Sequence, residues 1–474
     1  MANFENQTQL LEEREPKIAS SDSLSDDMIQ NIFTFLPIKH AILTATTVSP
    51  KYKRSWCHNR RFLFDRDLCF RYNQENLAAI VDQLFNSHEG DEIKTFQLHI
   101  DPVGIEVLLK RWLQICTKKD LEDLELSFYQ PGFTIESTVF SALHKLKTLK
   151  LAQCVIELPE VPSGLQFLQK LKLANIHITE KMSGMLIEHC KMLEMIVLIN
   201  CSTIKKLKLI ARQNKHFKEL RIDYCEDLKE IEIDSPTLSS IFYHGKFPII
   251  RIAQGMQLYD ALFRFTPSRE YMQSTQLEAL AKDFLHVSIL TTTPQLIEGM
   301  AVRIRDGVLR EAQYCFVNLR ELQLFMDGAK FCNPYDITMF LKNCPSLVKL
   351  FIDLKNYKFD LGIYWELHHK LQLDKCNHKF TQLKVAVMRS FKFLPSELEL
   401  LKIILQRATI LEMVFLILPE NGCCEFRTQD VPEYAKLINS WKASTKAKVH
   451  VYESYHDECF GNPTHSKRWI LDPF

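Results

Sequence analysis

The chain has 474 residues, 46% of them hydrophobic and 25% charged, which is long enough for roughly two to four domains and has the make-up of a folded protein. A net charge of +1 with no long basic run argues against nucleic acid or an anionic membrane as partner. The longest apolar run, Ile410 to Leu418, is interrupted by Glu412 and too short to span a bilayer. The start of the chain is polar and acidic, with Glu5, Glu12, Glu13 and Glu15, and carries no signal-peptide pattern. Residues 1–21 therefore read as a disordered tail on a protein kept in the cytoplasm or nucleus, and in such a reducing compartment the 14 scattered cysteines read as buried thiols.

The first patterned stretch runs over 22–66 and reads as three short helices. Ser25 stands as a cap before Asp26 and Asp27, whose charge suits the positive end of a helix, and Ile29, Ile32, Phe33 and Leu36 fall on one face. Pro37 closes that helix, Ile38 to Thr47 starts a second, and Ser49-Pro50 opens a third carrying Tyr52 and Trp56. About 40 residues have too little interior to bury this whole set, so part of it must meet another molecule or the rest of the chain.

On Leu24, Asp27, Ile29, Ile32, Leu36, Pro37, Lys39, Val48, Ser49 and Trp56, with Phe62, Phe64 and Asp65 as its ending, the stretch resembles the F-box of the plant F-box proteins with leucine-rich repeats. The resemblance implies docking on a Skp-type adaptor, and through it on a cullin, by Leu24, Ile29, Ile32, Phe33, Leu36, Pro37, Ile38, Val48, Tyr52 and Trp56. Ser25 and Tyr52 depart from the family pattern. They leave open an alternative, a leucine-rich-repeat interaction scaffold that does not engage the ubiquitin ligase.

Residues 67–90 read as a helical linker, with Leu77, Ile80, Val81, Leu84 and Phe85 on one face and Gly90 as its stop. Beyond it the period changes. Ile93, Phe96, Leu98 and Ile100 are strand-like, and Val107 to Cys116 is helix-like. A phrase of the form apolar-x-x-apolar-x-apolar then recurs, at Leu121/Leu124/Leu126, Leu146/Leu149/Leu151, Leu168/Leu171/Leu173, Leu193/Ile196/Leu198, Phe217/Leu220/Ile222 and Leu228/Ile231/Ile233. Further copies read as Phe284/Val287/Ile289, Leu319/Leu322/Leu324, Leu347/Leu350/Ile352, Leu383/Val385/Val387 and Leu411/Val414/Leu416, with 250–284 the least regular part. Repetition at about 20 to 29 residues marks a leucine-rich-repeat solenoid, in which no repeat buries its apolar side until a neighbour stacks on it.

The expected fold is α/β: an N-terminal three-helix F-box, then an irregular horseshoe with a parallel sheet on its concave face. Repeats occupy 91–380, C-terminal repeats 381–451, and a tail 452–474. Cys154, Cys201 and Cys225 each fall three residues beyond a last strand residue, and Cys190 and Cys344 three before a first leucine; shared positions point to structural thiols. Two passages resemble the same plant family further. One is Ile233-Asp234-Ser235-Pro236-Thr237-Leu238 leading to Tyr243-His244-Gly245, and the other, resembling its C-terminal FBD region, runs through Leu383, Phe391, Glu397 to Leu400, Leu405 and Leu411 to Met413.

Side chains between the buried ones in each strand point to the opposite face. They include Glu125, Lys150, Lys172, Val197, Arg221, Glu232, Gln323, Phe351 and Phe415, a surface of mixed charge and aromatic anchors that suits a protein segment as target. Of these, Glu125, Lys150, Lys172, Arg221, Glu232, Gln323 and Phe351 are the expected target-binding residues. His368, His369, Cys376 and His378 match no zinc spacing, and Cys423-Cys424 has no base beside it. With no phosphate loop, Gly-x-Ser-x-Gly or His-Glu-x-x-His, no catalytic residue, metal or cofactor is expected. The resemblance implies a non-catalytic ligase subunit that recruits a target protein.

Overall fold

A computed structural model describes residues 25–36, 38, 40–41, 54–253, 255–256, 258–266, 280, 282–300, 304–305, 308–309, 314–326, 332–355, 357, 370–419, 431–453 and 463–465. Outside them lie Leu24, Pro37, Val48, Tyr52, His368, His369, Cys423 and Cys424, together with the expected N-terminal tail and the opening of the third helix. The chain forms two compact units, residues 1–130 and 131–474.

In the first unit a helix over Asp26–Phe35 starts as expected, with Ser25 Oγ accepting the backbone N–H of Met28 at 3.4 Å. The chain is helical again at Ile38, His40 and Ala41 and makes a 3-10 turn over Ser55–His58. Strand β1 (Arg61–Phe64) follows, then helices over Arg66–Arg71 and Gln74–Ser87, β2 (Thr95–Ile100), a helix over Glu106–Thr117 and β3 (Asp123–Phe128). The three strands are parallel, with Phe62 opposite Phe96 and Phe96 opposite Leu124. The Phe-x-Phe ending of the head segment is thus also a sheet strand. Its Phe62 meets Phe85 edge-on at 5.0 Å, and Phe85 stacks on Trp112 at 5.9 Å, which ties the linker helix and the first repeat helix into one aromatic core.

The second unit contains β4 (Thr134–Ile135), β5 (Thr148–Ala152), β6 (Val155–Ile156), β7 (Lys170–Ala174), β8 (Met195–Ile199), β9 (Lys206–Ile210), β10 (Glu219–Asp223), β11 (Glu230–Asp234), β12 (Ser240–Gly245) and β13 (Ile249–Ile252). It continues with β14 (Asp260–Phe265), β15 (Ile289–Thr292), β16 (Ile304–Arg305), β17 (Val308–Leu309), β18 (Glu321–Phe325), β19 (Lys349–Asp353), β20 (Val385–Arg389), β21 (Met413–Ile417) and β22 (Lys448–Tyr452). The main parallel sheet runs β5, β7, β8, β10, β12, β14, β15, β18, β19, β20, β21, β22. Helices over Glu180–His189, Pro334–Lys342 and Pro395–Arg407 lie between its strands in sequence and carry buried apolar residues. This is the repeat architecture expected from the leucine spacing.

The turns out of β5, β7, β8 and β10 share a device. Gln153, Asn175, Asn200 and Tyr224 each directly follow a strand with φ between 49° and 56°. Their backbone N–H groups donate to Ala174, Ile199, Asp223 and His244, the last or next-to-last residue of the neighbouring strand. The left-handed residue bends the chain while keeping its N–H paired. The next residue then plunges inward as Cys154, Ile176, Cys201 or Cys225, all buried.

Three expectations are corrected. Leu228/Ile231/Ile233 does form a strand, but β11 pairs with β9 and β13 in a separate sheet. In β15 the inward residue is Leu290, opposite Ala261 and Leu322, so Ile289 belongs to the other face. In β20 the inward residues are Ala386 and Met388, opposite Leu350 and Ile352, in place of Val385 and Val387. Both slips fall where apolar residues sit on both faces, so that alternation no longer marks an inside. Strand β12 carries Tyr243-His244-Gly245, β14 falls in the irregular stretch 250–284, and β22 closes the C-terminal repeats.

Candidate functional site

The described adaptor residues lie in the first unit, and the expected target-binding residues, Glu125 apart, lie in the second. In the head, Ile29 and Phe33 pack with Ala41, and Leu36 and Trp56 lean on that cluster half-buried. Ile38 is buried as well. These residues supply the head's own core. The next residues round the helix face outward: Met28 is 57% exposed, Ile32 50% and Phe35 65%. Of the residues expected at the adaptor and described, Ile32 is therefore the one on the open ridge. Met28 and Phe35 join it unannounced, since a helical wheel anchored on Ile29 and Phe33 could have placed them on the free side.

Asn59, fully buried, holds the head in place. Its Nδ2 donates to the carbonyls of Phe33 and Leu36, both at 2.8 Å, and its Oδ1 accepts the N–H of Arg61 at 2.6 Å. The carbonyls at a helix C-terminus have no partner within the helix, and here one side chain serves two of them and starts β1. His88 accompanies it: Nε2 lies 3.0 Å from the Asn59 carbonyl and Nδ1 2.9 Å from Lys119 Nζ. A neutral ring with its proton on Nε2 satisfies both contacts, and burial followed by the Lys119 charge lowers the His88 pKa to about 4. Neither residue stood out in the sequence, because a single Asn or His in a loop has no periodicity.

In the second unit the outward side chains of the main sheet line up in register. Lys150 lies opposite Lys172, then Val197, Arg221, Phe242, Leu262, Thr291, Gln323, Phe351, Val387, Phe415 and His450 follow across neighbouring strands. Lys150, Lys172, Arg221, Gln323 and Phe351 thus belong to one row, as expected, and Glu125 holds the same strand position in the first unit, opposite Gln97. Glu232 does not join the row. It lies on β11, where Lys206 bridges it at 3.6 Å and Glu230 at 3.0 Å, so its charge serves the side sheet.

The row changes character along its length. At one end Arg221 Nε donates to Asp223 Oδ2 at 2.5 Å and Lys150 is half-buried, with buried Lys172 and Val197 between them. From Phe242 onward most members are buried, and Phe351, Val387 and Phe415 form an apolar cluster with Ile417. Burial also governs the thiols: Cys154 and Cys190 are pushed up to about 12, which leaves no thiolate for nucleophilic attack. Among the described residues no group of three or more His, Cys, Asp and Glu is placed to hold a metal ion, and no helix is long and apolar enough to cross a membrane.

Comparison with known proteins matches residues 84–452 to the leucine-rich-repeat domain described as At1g61320/AtMIF1, LRR domain. At1g61330 of Arabidopsis thaliana, named for the FBD-associated F-box class, is 31% identical over 88% of this chain and 95% of its own length. The FBD-associated F-box protein At1g61320 of the same plant is 28% identical over 91% and 96%, and the F-box/FBD/LRR-repeat protein At1g13570 is 23% identical over 53% and 58%.

Proposed function

The chain belongs to the plant F-box proteins with leucine-rich repeats and an FBD-type region, the family of At1g61320/AtMIF1, and on that premise we propose that it is the substrate-recognition subunit of an SCF-type cullin-RING ubiquitin ligase. The head grips a Skp-type adaptor and the main-sheet row holds a target protein. The other subunits carry the ubiquitin chemistry. The chain's contribution is proximity: holding a target lysine beside an activated ubiquitin replaces a bimolecular encounter with a local one at an effective concentration on the order of millimolar. No side chain of this chain enters the reaction.

The observation that carries the reading is the ridge of Met28, Ile32 and Phe35. It stands in solvent on a helix whose adjoining face is already packed, at the place where the F-box resemblance puts the adaptor contact. Apolar side chains grouped on one exposed face mark a docking surface. The test is co-purification with a Skp-type adaptor, comparing the natural chain with Ile32→Glu plus Phe35→Glu, two exposed positions whose change leaves the core intact. Recovery of adaptor should fall at least tenfold while the thermal unfolding midpoint stays put. Equal recovery would remove this ridge from the interface, and no adaptor captured by the natural chain would favour the non-ligase scaffold.

A further inference from the structure

The main-sheet row is covered at its centre by a distant part of the same chain. Residues 463–465, beyond the last strand, lie on β12, β15 and β18. The His465 ring stands edge-on to Phe242 at 5.3 Å, and its Nδ1 is 2.6 Å from Thr291 Oγ1. The Thr291 hydroxyl itself donates to Gln323 Oε1 at 3.2 Å, so Nδ1 of His465 is the donor in the first contact. Thr464 gives its backbone N–H to Glu321 Oε1 at 2.6 Å and its hydroxyl to Oε2 at 3.1 Å. Beneath them Phe242 and Thr291 are 1% exposed and Gln323 3%, while His465 is itself 1% exposed.

A carboxylate reads a peptide N–H and the hydroxyl beside it, a threonine and a glutamine relay to an imidazole, and an aromatic floor receives the ring. Gln323 is one of the residues expected to bind the target. We propose that residues 463–465 are a self-ligand occupying the target site, and that this site takes a protein segment bearing a Ser or Thr followed by His. The inference rests on the reading of the sheet face as the target surface, and names its chemistry and its regulation: a target must displace the tail.

The hold is of the right strength for exchange. It consists of a few hydrogen bonds and one ring contact, each contributing only modestly once the exchange with water is counted. The tether raises the tail's effective concentration to about 1 mM. A free segment that binds the open site with a Kd of about 100 μM would therefore bind the natural chain about tenfold more weakly than a chain without the tail. The chain between Tyr452 and Pro463 is long enough to supply such a tether, since about ten residues reach ~35 Å and the four strand spacings from β22 to β18 cover about 19 Å.

The test uses a fluorescent peptide with the sequence of residues 460–468 and measures its anisotropy against three proteins: the natural chain, the chain ended after Tyr452, and the full chain with Thr464→Ala plus His465→Ala. The peptide should bind the shortened chain saturably and the natural chain about tenfold more weakly, with the double variant close to the shortened chain. Thr291→Val plus Gln323→Leu in the shortened chain should abolish binding. No saturable binding to a shortened chain that still unfolds cooperatively, or equal binding to all three, would overturn the proposal. If the shortened chain fails to fold, the double variant decides: unchanged from the natural chain, it makes these residues a fixed part of the fold. Adaptor capture is read separately, so loss of the ligase reading and loss of the self-ligand are distinguishable.

Discussion

His88 shows how one buried side chain sets a condition for the first unit. With Nε2 donating to Asn59 and Nδ1 facing the Lys119 ammonium, a second proton has no acceptor and meets a positive charge. The native pKa falls from 6.5 to about 4, so between those values the unfolded chain binds a proton that the native chain refuses. Stability is complete above about pH 6.5 and is lost as pH falls toward about 4, at up to about 1.4 kcal/mol per pH unit. Urea midpoints at pH 7.5, 6.0 and 5.0 should fall along this slope in the natural chain and less steeply in His88→Gln. Equal slopes would assign the acid sensitivity elsewhere.

At the scale of elements, the head's first helix is tied to the sheet through a side chain that is neither apolar nor periodic. Asn59→Ala leaves the carbonyls of Phe33 and Leu36 and the N–H of Arg61 without their partner, each a buried loss of about 1–3 kcal/mol. Hydrogen exchange over 26–36 should speed up at least tenfold while β2 and β3 keep their protection; uniform loss across the unit would mean that head and sheet unfold together. Strand register follows a similar division. The phrases at Leu149/Leu151 and Leu322/Leu324 were legible because their outward neighbours, Lys150 and Gln323, contrast with them. Around Ile289 and Val387 both faces are buried, and the contrast that would set the register is missing.

For the whole molecule, the repeats are stabilised by their neighbours, and their thiols report on that. Cys154, Cys201 and Cys225 are buried in turns between strands and Cys190 at the end of the helix over Glu180–His189, whereas Cys315 is exposed. Brief alkylation of the native protein followed by mass spectrometry should mark Cys315 and spare those four. In a urea series the four should become reactive over one shared transition, as expected for coils that bury their apolar sides only by stacking; staggered labelling would indicate repeats that open independently.

The sequence by itself determined the repeat architecture and most members of the outward row, through the leucine spacing, and the helix cap at Ser25, through the Asp26-Asp27 pair behind it, because these depend on contacts between residues close in sequence or on a period repeated many times. The tertiary structure decided which strands share a sheet, sending Glu232 to the side wall although its phrase matches the others. It also decided that Asn59 closes a helix from outside it, and that Thr464 and His465 return to cover Thr291 and Gln323. Each of these joins residues that are far apart in the chain or breaks the period, and a one-dimensional pattern carries no term for such a meeting.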